Sequence, residues 1–184
     1  MEALRSLTRT ALHGIELGYR HAHHLQPLGR VLLLGRGRHR GPAIALDDGT
    51  CIERDCAIGV LHLNNLGFDG MHTTSAVSAA RAFGREMLVS MQALADAARG
   101  DPRFTDVQAF HATSWLPPHG SRLGFVATPL PPGPGTRMRA AWFALLLWAF
   151  APAQETRRLA RPQPHAYWLS RRCLLERFPC RTST

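Results

Sequence analysis

The segment Leu61-His62-Leu63-Asn64-Asn65 closes the run AIGVLHL and carries the side chains best suited to chemistry. On a strand, His62 and Asn64 point to one face, while Val60, Leu61 and Leu63 remain for packing. A neutral imidazole beside a carboxamide can accept a proton while the amide holds a substrate or a developing charge. His62 is therefore the candidate general base, with Asp55 or Asn65 orienting it or the substrate. The competing reading is structural. In that reading Asn64 and Asn65 satisfy loop backbone groups and His62 bonds a neighbouring strand.

A second candidate lies in FHATSW. Alternation puts His111, Thr113 and Trp115 on one face, and Phe110, Ala112 and Ser114 on the other. If this strand neighbours the one bearing His62, the two histidines converge. Asn64, His111 and Thr113 would then line a ligand pocket with His62 and Asn65. A nearby acid would allow a metal, but the spacing does not call for one, and no metal or cofactor is assigned. Ser114 lacks the Gly-x-Ser-x-Gly turn that exposes a nucleophile.

Other polar clusters have plainer explanations. In the acidic group Asp47, Asp48, Glu53 and Asp55, the first two suit a turn and the others suit pairing with arginine. GRGRHRG matches neither a Walker loop nor a dinucleotide fingerprint, and it reads as an edge strand protected by charge. His21, His23 and His24 stand at a helix end, where cationic groups suit the dipole.

These residues need elements to hold them. Leu4, Leu7, Ala11, Ile15, Tyr19 and Ala22 recur at helical spacing, predicting a helix over about Glu2 to Leu25 with this stripe packed inward. Gly14 and Gly18 would leave a groove for a close neighbour. Four short strands follow, with Asp48-Gly49 as a hairpin turn. A long helix is predicted from Thr73 or Thr74 to Gly100, with Met87 and Met91 in the core. Two strands then flank the turn LPPHGS. A helix over Thr136–Phe150, an extended HAYWLS and a short helix capped by Ser170 complete the chain. The order is not a regular βα alternation. The predicted class is α+β: about six strands, as an antiparallel sheet or small barrel-like meander, with three to four helices in one domain spanning 1–184.

Composition narrows the partners. The chain has 184 residues, with 45% hydrophobic and 19% charged residues, and a formal charge of +9. Such a charge favours phosphate-bearing or otherwise anionic partners, although arginine used simply as a solvated charge accounts for it too. Interleaved basic and aromatic residues are absent, which argues against nucleic acid. Cys51, Cys56, Cys173 and Cys180 lack zinc spacing and read as free thiols of a reducing compartment. No signal peptide is recognised at the start. The apolar part of the third helix, Ala140 to Ala151, is 12 residues, short of the roughly 20 a bilayer needs. It is read as a buried core helix. The alternative is an interfacial helix with Arg137 and Arg139 at headgroups and Trp142 and Trp148 near the surface. The expected location is cytoplasmic, with peripheral contact at the inner membrane face as an option.

GPAIALDDGTCIERDCAIGVLHLNN, FHATSWLPPHGSRLGF and HAYWLSRRCLLERF together resemble the YkoP-like family, small bacterial proteins also found as a domain appended to polysaccharide deacetylases. The resemblance covers nearly the whole chain, in order. Arg54 stands where the family pattern carries Gly before Asp55. The resemblance supplies no catalytic residues. It singles out Asp48, Gly49, Asp55, His62, Asn65, Thr113, Gly124, Phe125, Trp168 and Ser170, which adds Trp168 and Ser170 to the candidate ligand-binding set. It implies a setting in cell-envelope glycan or lipid-linked sugar metabolism, with a polysaccharide deacetylase as a partner. On this basis an accessory ligand-binding domain is the first expectation, and a small hydrolase or transferase using His62 is the alternative.

Overall fold

The computed structural model describes residues 2–68, 76–114, 122–150 and 164–180. Their order is α1 (Glu2–Ala22), β1 (Gln26–Leu28), β2 (Leu32–Arg38), β3 (Ile44–Ala45), β4 (Cys51–Ile52), β5 (Ala57–Leu63), α2 (Ala76–Gly100), β6 (Ala109–Ser114), β7 (Val126–Pro129), α3 (Pro134–Phe150), β8 (His165–Ser170) and α4 (Arg171–Arg177). Six strands form one open sheet in the order β1-β2-β5-β6-β8-β7, and β3 and β4 form a separate hairpin. The fold is α+β with a single sheet and no closed barrel. The proposed N-caps Thr73 and Thr74, the turn LPPHGS and Trp115 lie outside the described residues.

The sheet is mixed rather than antiparallel throughout. β5 and β6 run parallel, with Val60 opposite His111, and α2 supplies the crossover that parallel neighbours require. The remaining pairs in the sheet are antiparallel. Alternation then separates two faces. Leu32, Leu34, Leu61, Phe110 and Leu169 pack against Met91, Leu94, Ala95 and Ala98 of α2 and Leu174 of α4. This is the main core, and Met91 is fully buried in it, with Met87 packed beside it. On the other face Ile58, Ala109, Ala166 and Trp168 pack beneath Leu46 and Ile52 of the hairpin region.

Two helices depart from expectation. In α1 the stripe faces outward: Leu4, Leu7 and Ile15 are 58%, 70% and 55% exposed, whereas Leu12 is buried. The inward side is largely polar. Arg9 Nε donates to the Ala149 carbonyl of α3, and Glu16 accepts from the Asn65 amide. Among the described residues, nothing fills the space beside Gly14 or Gly18. Helix α3 is not a core helix either, since Met138, Trp142 and Leu145 are exposed. No helix among the described residues is long and apolar enough to cross a membrane.

Gly59 pairs with Phe110 across the parallel ladder, and a methyl group there would overlap the buried Phe110 ring. Gly59→Ala should therefore cost about 1–3 kcal/mol from overpacking, read as a lower urea midpoint. An unchanged midpoint would show that the ring is free to move aside.

Candidate functional site

β5 and β6 bring His62, His111 and Thr113 onto the same face. Val60 is level with His111, so extending the register sets Thr113 beside His62. All three are partly buried. Two remote helices complete the setting. Tyr19 of α1 places its hydroxyl 3.3 Å from His62 Nε2, with the two rings edge to face at 5.1 Å between centroids. His23 stacks on Tyr19 at 4.1 Å. Arg139 of α3 lies close enough to influence both Tyr19 and His111. Beneath His111, the Trp168 ring packs at 4.4 Å, and His39 meets that indole edge to face at 5.3 Å. His39 Nε2 donates to the Pro42 carbonyl.

Electrostatics keep both imidazoles uncharged. Burial, and then repulsion from His23, pushes His62 down to about 4. Burial also leads for His111, followed by Arg139, His39 and His62, and brings it to about 4. The extended register makes His62 and His111 diagonal neighbours on adjacent strands. Desolvation raises the Tyr19 phenol, against the opposing charge of Arg139. No ion pair engages Arg139 among the described residues. The site therefore offers neutral ring nitrogens, hydroxyls and one guanidinium.

The remaining candidates have other positions. Asp55 precedes β5, and the run from Ala57 to His62 alone spans roughly 16 Å of strand. It pairs with Arg40 and cannot orient His62. Asp55 also adopts the left-handed conformation, with φ 64°, so the tight turn forms there despite Arg54. Asn64 donates from its amide nitrogen to the Arg30 carbonyl, and its buried Oδ1 has no hydrogen-bond partner among the described residues. Asn65 contributes its backbone N–H to Glu16. Trp168 is 4% exposed, too buried to stack on a ligand, and instead supports His111. Ser170 stands at the opposite end of the face from His62. Its hydroxyl donates to Asp48 and accepts from the Cys173 amide, capping α4. Burial tends to raise Asp48, but hydrogen bonds from Ser170 and Thr50 and the Arg172 charge outweigh it and hold Asp48 below the usual range.

Tyr19 and Arg139 were not legible as site residues. Tyr19 reads as one member of an apolar stripe and Arg139 as a helix-end charge. The histidine cluster after Tyr19 was the nearest signal. No group of three His, Cys, Asp or Glu side chains is placed to hold a metal among the described residues. The four cysteines are free. Two surface grooves lie elsewhere, one along Leu17, Arg20, His21, His24 and Leu25, the other beside Leu88, Val89 and Phe178.

The YkoP domain family matches residues 5–178. The chain belongs to the YkoP family. No curated protein and no solved structure matches it. In YkoP terms, the specific block around His62 supplies the strand that enters the site. Its Asp48 and Gly49 end instead builds the hairpin turn and anchors Ser170.

Two outcomes follow. The unfolded chain takes up protons below its ordinary histidine value of 6.5 that the folded rings resist to about 4. Stability is thus fully present above pH 6.5 and declines as pH falls, by about 2 kcal/mol for each ring at pH 5. Urea midpoints between pH 7 and 5 should show this slope, and H62Q/H111Q should flatten it. Ser170→Ala should lower the urea midpoint by the equivalent of about 1–2 kcal/mol through loss of the cap, at any pH in that window.

Proposed function

We propose that this chain is an accessory domain of bacterial envelope polysaccharide or lipid-linked sugar metabolism that binds an anionic, hydroxyl-bearing ligand. The observation that carries this reading is the pair of uncharged imidazoles, His62 and His111, on one sheet face, with Arg139 near enough to act on His111. Neutral rings donate and accept hydrogen bonds without demanding a counter-charge, which suits sugar hydroxyls. The guanidinium supplies the complement to a phosphate or carboxylate. Tyr19 and Thr113 add further hydroxyls. A polysaccharide deacetylase as partner accords with this reading by family analogy, and peripheral contact at the inner face of the membrane accords with the basic charge.

The alternative is a small hydrolase or transferase with His62 as general base. Its ring nitrogen is unprotonated at neutral pH, as a base requires. A base that protonates only near 4 is nevertheless poorly matched to work at pH 7. No carboxylate among the described residues contributes to its electrostatics, and Asp55 lies too far along the strand to orient it. Those two facts favour binding over catalysis.

Calorimetry with glucuronate and farnesyl phosphate, against neutral glucose, tests the proposal. The anions should bind and glucose should not. Arg139→Ala and His62→Ala should each weaken binding about tenfold, near 1.4 kcal/mol, with circular dichroism unchanged. Equal affinity for glucose, or full affinity in Arg139→Ala, would refute the assignment. Turnover of farnesyl phosphate to inorganic phosphate, abolished in His62→Ala, would establish the enzyme reading instead.

A further inference from the structure

Helix α1 presents Leu4, Leu7 and Ile15 to solvent along one stripe, although a soluble helix normally turns such a stripe to its core. Helix α3 presents Met138, Trp142 and Leu145 at spacings of four and three. The two helices are neighbours. Arg9 bonds Ala149 near the end of α3, and Tyr19 feels Arg139 near its start, so they run antiparallel. Both exposed rows therefore belong to one packed helix pair. Large apolar side chains exposed in rows on two packed helices are the kind of feature that marks an interaction surface.

Charge decides the occupant. Helix α3 contains no acidic residue and opens with Arg137 and Arg139, both exposed. Helix α1 carries only Glu2 and Glu16 as acids, and Glu16 is held by Asn65. The whole chain has a formal charge of +9. A second copy would bring a like-charged face against this one. An anionic bilayer surface offers both the apolar layer and the opposite charge, and Trp142 beside arginines suits the boundary between them. We propose that the α1/α3 face docks on an anionic lipid surface, with Leu4, Leu7, Met138, Trp142 and Leu145 entering the interface and the arginines meeting headgroups. Arg139 is also the guanidinium assigned to the His62–His111 site, so the test alters only Leu7 and Met138, which are no part of that site.

Flotation of the full chain with vesicles tests it. One set is phosphatidylcholine alone, and the other contains equal parts phosphatidylcholine and phosphatidylglycerol. The chain should float with the mixed vesicles and not with the neutral ones. The double variant L7E/M138E alters side chains 70% and 72% exposed, so its melting temperature should be unchanged while its lipid partition falls at least about tenfold. Sedimentation velocity should show a monomer for both. Failure to float with the mixed vesicles, or undiminished flotation of the variant, overturns the proposal. A dimer that L7E/M138E dissolves would overturn it in favour of a second copy as the occupant.

Discussion

Parallel pairing of β5 with β6 is the constraint from which the rest of the site follows. It sets Val60 against His111, and so carries His62, His111 and Thr113 onto one face. The same ladder sets Gly59 against Phe110 on the reverse face, where the ring closes the main core against α2. Core packing on one side and polar convergence on the other therefore share a register. A slip of one residue would exchange the two faces. The buried strand interior thus specifies the histidine placement more firmly than any contact between the histidines themselves.

The polar face is divided along its length. At one end Asp48, Ser170 and Arg172 tie the hairpin region to α4. Trp168 and His39 fill the middle. His62, Tyr19 and Arg139 occupy the far end, where α1 and α3 approach. The first part is structural in its bonding. The last contains uncharged imidazoles and a guanidinium that no ion pair engages among the described residues. Neutrality here is a product of burial, since the desolvation of each ring leads its other influences.

Much of the fold was legible locally. Period-2 alternation marked β5 and β6, the 3.6-residue period marked α2 with Met91 inside, and Ser170 at the head of SRRCLLERF announced the α4 cap. The side of His62 and the shared face of His111 and Thr113 were legible for the same reason. Asp55 misled because closeness in sequence is not closeness along an extended strand. Tyr19 and Arg139 were hidden because each arrives from a distant helix. The α1 stripe misled in another way: periodicity identifies an apolar face but does not say what covers it.

Local pattern specifies most of the helices and strands, and which side chains of each share a face, because backbone sterics and side-chain periodicity act between near neighbours. Only the tertiary structure decided that β5 lies parallel to β6, that α1 turns Leu12 inward and Leu7 outward, and that Tyr19, His62, His111 and Arg139 gather at one end of the sheet. Those outcomes depend on fit and desolvation among residues far apart in the chain, and no local pattern encodes them.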